Sequence, residues 1–206
     1  MRRSFTALVT AGISALSLVT GATVASAAPQ STAPAQLSCT VVIDQFATHG
    51  PLGQNDQYVQ VKNISQVQQD LSNFAIDASI GQSRVLTLAT IPWGTVLQPG
   101  GVYLVANAQY SGPAPDQYWS GITLPDQVGV GLMRPPTAPV DGAATYANSP
   151  FVEGTPAAPQ PPGLQPLALM RLTNSGDNAV DFQLRDRTPG RPGPVPPCGS
   201  TQLLTR

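Results

Sequence analysis

Apolar and polar residues alternate most clearly between Gln57 and Ile76, in the stretch QYVQVKNISQVQQDLSNFAI. Alternation sends successive side chains to opposite faces of an extended chain, so the stretch predicts two half-buried strands joined by a turn, a hairpin. Val59, Val61, Phe74 and Ile76 make its core face, and Gln57, Gln60 and Lys62 point the other way. Asn63 reads as the turn residue, its side chain bonding to nearby backbone.

Similar short segments recur at close intervals. Thr40 to Ile43 is β-branched throughout and suits a buried first strand, with Val41, Ile43 and Phe46 in the core. Arg84 to Ile91 alternates, Gln98-Pro99-Gly100-Gly101 turns, and Val102 to Ala106 is a fully apolar strand. Val128, Val130 and Leu132 alternate with Gly129 and Gly131, a strand with little on its second face. A further strand is expected around Val140. From Ala168 onward, Leu169 and Met170 or Leu172 should pack, Asn174 to Asn178 should turn, and Val180 and Phe182 should return as a strand. No segment beyond the N-terminus has a helical period, and 22 prolines and 19 glycines would interrupt one. Many short strands with Pro and Gly turns predict an all-β fold, a sandwich or barrel.

The N-terminus reads as an address. Arg2 and Arg3, the apolar run Ala7 to Val19 and the small residues Ala25-Ser26-Ala27 make residues 1–27 a signal peptide, with Ala28 as the mature start. The arginine pair leaves Sec and twin-arginine export both open. Residues 28–38 read as a disordered linker, 39–198 as the folded domain and 199–206 as a flexible tail. No later stretch approaches the roughly 18 apolar residues of a membrane helix, so a secreted, extracellular protein is expected. In that compartment the two cysteines, Cys39 and Cys198, read as one disulfide.

Charge narrows the partners. Without Arg2 and Arg3, eight basic residues face eleven acidic ones, a formal charge of -3, and Lys62 is the single lysine. Such a surface does not suit nucleic acid, whose phosphates need clustered cations. Candidate chemistry is sparse. His49, the one histidine, lies in a turn cluster and reads as an exposed loop residue. Glu153, the one glutamate, lies on a long proline-rich surface loop at about 148–164 and lacks the second carboxylate that common glycoside hydrolysis requires. Tyr110, Tyr118 and Trp119 either close the end of a core or form a surface where rings stack on sugars. No catalytic, cofactor-binding or metal-binding set emerges.

Several pieces in order resemble the lamin tail domain family, in its bacterial exported type. Gln57 to Asn63 matches the family's Glu-(Phe/Tyr)-Val-Glu-(Leu/Ile)-x-Asn strand, and Asp70-Leu71-Ser72-Asn73-Phe74 its Asp-Leu-Ser-Gly-Trp turn. Leu97 to Gly101 matches its Leu-x-Pro-Gly turn, and Val140-Asp141 its Val-Asp pair. Arg171, Asp177, Asn178, Asp181 and Phe182, followed by Thr188-Pro189-Gly190, match the closing signature. Gln57 and Gln60 stand where relatives carry acids. The resemblance implies an immunoglobulin-like β-sandwich and a non-catalytic binding or structural module, whose partner would be an extracellular protein or a cell-envelope polymer. A secreted hydrolase or its accessory subunit is the alternative. For Arg171 and Asp181 the expected role is an ion pair fixing the closing turn rather than a ligand pair. Asp177, Asn178 and Asp181 could instead gather around Ca²⁺, though three oxygen ligands fall short of six.

Overall fold

A computed structural model describes residues 37–81 and 84–198. The proposed signal peptide, linker residues 28–36 and tail 199–206 lie outside the described residues. Twelve strands follow in order: β1 (Val41–Ala47), β2 (Tyr58–Asn63), β3 (Gln69–Asp70), β4 (Ala75–Ile80), β5 (Arg84–Thr90), β6 (Val96–Leu97), β7 (Val102–Asn107), β8 (Gln117–Trp119), β9 (Val128–Arg134), β10 (Ala138–Ala144), β11 (Leu167–Arg171) and β12 (Phe182–Asp186). One helical turn, α1 (Asn178–Asp181), precedes β12. A six-stranded sheet, β12-β11-β1-β2-β7-β8, packs against a four-stranded sheet, β10-β9-β4-β5, as an immunoglobulin-like all-β sandwich, with β3 and β6 forming a separate ribbon.

The core lies between the sheets. Val41, Ile43, Phe46, Val59 and Val61 from one sheet meet Ile76, Ala78, Val130 and Leu132 from the other, all buried. Ile43 and Phe46 are three residues apart, a spacing that would put them on opposite faces of a regular strand. A register shift between Ile43 and Gln45 resets the alternation, and both reach the core. The disulfide Cys39–Cys198 joins the two ends of the domain.

The expected hairpin does not form. β2 pairs with β1 and β7, whereas β4 pairs with β5 and β9, so the Gln57–Ile76 stretch crosses from one sheet to the other. Alternation reports the two faces of a strand, not the partner at its edge. The crossing is held by Asn63, which accepts from Ser65 N and donates to the carbonyls of Val67 and Leu97, and by Leu71, buried in the core.

The polar face of β2 is not surface either. Gln57, Gln60 and Lys62 are all buried. Lys62 Nζ donates to the carbonyls of Gly193 and Val195 at 2.6 and 2.9 Å. Gln60 donates to Asp44 Oδ2 and Arg191 O and accepts from Gly190 N. The segment 188–195 thus lies across β1 and β2 as a polar strap. Gln57 has the parity of Val59, so it sits with the core-facing residues, where it exchanges hydrogen bonds with both backbone groups of Leu124.

Two other expectations change. Gly129 and Gly131 do not leave an open face: a β-carbon there would meet Ser149 and the Phe151 ring, which pack on it. Val180 is exposed on α1 rather than in a returning strand, because Asp177 caps the turn by accepting from Ala179 N.

Candidate functional site

The most chemically concentrated place in the fold is the end of the sandwich where β10, β11 and α1 meet the loop carrying Glu153. Arg171, at the end of β11, has no solvent exposure. All five of its N–H donors are used: Nε to Ile43 O, Nη1 to Asn174 Oδ1 and Asp181 Oδ2, and Nη2 to Asp141 Oδ2 and Gly142 O. Arg171 belongs to the six-stranded sheet and Asp141 to the four-stranded one, so the guanidinium links the two layers.

Asp181 is fully buried and accepts from Thr173 Oγ1, from Ser175 N and Oγ, and from Arg171. The sequence expectation of an ion pair fixing the closing turn holds for these two residues. Asn178 works beside them: its side chain accepts from Ala144 N and Glu153 N and donates to Gly142 O. Asp177 stands apart as the α1 cap, and Phe182 is buried, with the Arg171 guanidinium 4.6 Å above its ring. The five signature residues therefore divide into four core or near-core members and one cap.

Two carboxylates that the sequence named but did not bring together with Arg171 complete the cluster. Asp141 Oδ2 accepts from Arg171 and from Ile43 N, at 2.8 and 2.6 Å. Glu153 is not a lone acid on an outlying loop. Its Oε1 accepts from Gly142 N at 3.2 Å and its Oε2 lies 4.0 Å from Arg171 Nη1. Burial pushes the Glu153 carboxyl up to about 7, with the Asp141 charge adding to the effect. Burial also raises Asp141, to about 6, against the opposing pull of Arg171. Both shifts follow from placing three carboxylates around one guanidinium in a desolvated corner.

His49 departs from expectation by being buried. Its Nδ1 faces Asp126 Oδ1 at 3.1 Å and Thr48 Oγ1 at 3.3 Å, and its Nε2 faces Pro161 O at 2.9 Å. It ties the turn after β1 to the proline-rich loop, and Gln160 strengthens the tie by donating to His49 O. That loop is pinned rather than freely exposed, since Phe151, Ala157 and Gln160 are all buried.

The aromatic group splits. Trp119 is core, its Nε1 donating to Ile122 O; Tyr110 packs against Tyr58 beside Arg187; Tyr118 is exposed. Arg187 also bonds Asp56, a buried pair that the sequence pattern did not single out. Burial opposes ionisation of Asp56, but hydrogen bonds from Arg187 and Ser111 outweigh it and hold its carboxyl below the usual range. Among the described residues, no group of three or more His, Cys, Asp or Glu side chains is placed to hold a metal ion. No protein-family model matches the chain, and no curated protein matches it by sequence.

Proposed function

We propose that this chain is an exported, non-catalytic β-sandwich of the lamin-tail type, acting as a binding or structural module on an extracellular protein or a cell-envelope polymer. The observation that carries this reading is how its chemistry-bearing side chains are used. His49, Arg171 and Asp141 each tie together segments far apart in sequence, Asp181 closes the turn before α1, and Arg171 spends every donor on these contacts. A side chain locked into several backbone bonds contributes geometry and is poorly placed to exchange protons with a substrate. The disulfide supports export, because such bonds persist in oxidising compartments. The order of the family pieces, from Gln57 through Gly190, supports the lamin-tail assignment.

The test uses the secreted chain from culture medium. Mass spectrometry should find the N-terminus at Ala28. The purified chain should co-sediment with envelope material and release no product from polysaccharide, ester or peptide substrates. Hydrolysis abolished by one side-chain change would overturn the reading. A hydrolase remains the second reading for one reason: Glu153, with its carboxyl raised to about 7 beside Asp141, has the form of an acid/base pair. Glu153→Ala decides between them: turnover by the parent that this change abolishes would establish the hydrolase, whereas the module reading expects no turnover from either chain.

A further inference from the structure

An open cavity of about 300 Å³ lies against this cluster, bordered by Asp141 and Glu153 and by the apolar side chains of Pro139, Val140, Phe151 and Val152. The hydrogen bonds on its polar side do not balance. Arg171 has no donor left, and Asp181 is saturated. Asp141 Oδ1, buried within the cavity lining, has no partner among the described residues. Glu153 Oε2 is beyond hydrogen-bond reach of Arg171. Two carboxylate oxygens without a hydrogen-bonded donor therefore lie at the edge of a space whose other lining side chains are apolar, Glu153 Oε2 in its wall and Asp141 Oδ1 buried just behind it.

We propose that this cavity binds an alkylammonium group, as carried on the flexible apolar stem of a lysine-type side chain, with Glu153 Oε2 and Asp141 Oδ1 as its acceptors. A compact ammonium brings the three donors and the positive charge that the corner lacks. Its methylene stem suits walls of proline, valine and phenylalanine, which would cover it while the charged head reaches the acids. A metal ion fits less well, since Asp141 and Glu153 are only two carboxylates and the remaining acid, Asp181, is already spent on Thr173, Ser175 and Arg171. The charged groups facing the bound head would be Glu153, Asp141, Asp181 and Arg171, so binding should strengthen as pH rises and Glu153 loses its proton.

This inference rests on the binding-module reading and extends it to a ligand class. The test is an amide-resolved NMR titration of the whole exported chain with Nα-acetyl-lysine amide, and in parallel with the uncharged norleucine analogue. Saturable shifts centred on the Gly142 and Glu153 amides are expected with the lysine probe alone, weakening roughly tenfold between about pH 8 and pH 5. Glu153→Gln should lose the response while keeping a dispersed spectrum, and the pH series on the unaltered protein stands if that variant does not fold. Equal shifts with norleucine amide, no saturable shift at either pH, or a stronger response of the same amides to Ca²⁺ would each overturn the proposal. The two readings fail separately: loss of lysine binding leaves co-sedimentation with envelope material untouched, and hydrolysis that survives Glu153→Ala would defeat the module reading without bearing on the cavity.

Discussion

Asp141 Oδ2 accepts from Arg171 Nη2 at 2.8 Å, and this contact, both side chains buried, joins the four-stranded sheet to the six-stranded one. Removing the cation would leave the carboxylates of Asp141 and Asp181 buried and uncompensated, a loss of about 3–5 kcal/mol. Arg171→Met should therefore be strongly destabilised in urea denaturation. Arg171→Lys should recover only part of the loss, because three donors on a point charge cannot replace a five-donor fork that serves Ile43, Asn174, Asp181, Asp141 and Gly142 at once. Equal stability of the Lys variant and the parent would show that the guanidinium geometry is unimportant.

Glu153 makes stability depend on pH in a fixed direction. Its folded carboxyl titrates at about 7, against an ordinary value of 4.5, so the folded chain holds this proton where the unfolded chain has released it. The resulting stabilisation is fully present below about pH 4.5 and is lost as pH rises through about 7. Asp141, raised to about 6, acts in the same sense. The unfolding free energy should fall by on the order of 2 kcal/mol between about pH 5 and pH 8. Glu153→Gln should flatten most of that slope. A parent protein whose denaturation midpoint rises over the same interval would contradict the assignment.

The strands and their inward residues were legible in the sequence, since period-two alternation is a local property. Val41, Ile43, Val59, Val61, Val128, Val130 and Leu132 are core where the pattern put them. Even so, it took the register shift beside Asp44 to bring Ile43 and Phe46 to one face, and a bulge leaves no mark in composition. The pairing of Arg171 with Asp181 was within reach because ten residues and one turn separate them. Asp141 and Glu153 join that pair from β10 and the proline-rich loop, and nothing local announces a meeting decided by sheet packing. The same holds for Gln60 and Lys62, read as an outward face by alternation and covered by a strap some 130 residues further along the chain. A polar residue on a strand has no local signature that distinguishes water from a distant carbonyl as its partner.

The strap makes the disulfide consequential. Cys198 follows the segment whose backbone receives Gln45, Gln60 and Lys62, and it closes a loop with a sequence separation of 159 residues. The simple chain-entropy argument gives such a closure up to about 5 kcal/mol, with about 2–5 kcal/mol typical on removal. The Cys39→Ser, Cys198→Ser double variant should lose stability in that range. Its earliest local sign should be faster amide exchange at Gly190 and Gly193, which donate to Gln60 and Asp44. Unchanged exchange there would mean that the polar contacts hold the strap without the covalent link.

His49 is expected to matter for stability and for nothing catalytic. His49→Ala removes the ring bridging Asp126 and Pro161 O, two part-buried contacts whose loss should cost about 0.5–1.5 kcal/mol each. Limited proteolysis should then cut near Pro162 to Leu164, beside the lost anchor. Any hydrolytic activity lost with folding intact would reassign this residue to chemistry.

Gly142 offers the sharpest steric test of the inter-sheet corner. A β-carbon there would collide with the carbonyl of Phe151, which is backbone and cannot swing aside as a side-chain tip could. Gly142 also donates to Glu153 Oε1 and accepts from both Arg171 and Asn178, so displacement of its peptide would disturb every member of the cluster. Overpacking of this kind costs about 1–3 kcal/mol, and Gly142→Ala should lose at least that much in denaturant unfolding. Gly50→Ala is the control, because its added methyl would meet the ends of the Arg187 and Asp56 side chains instead. These can rotate at some expense to their ion pair, so the loss should be smaller. If the two variants proved equally stable, the loop at Phe151 would be free to move off β10, and the corner around Arg171 would not be held as rigidly as its hydrogen bonds require.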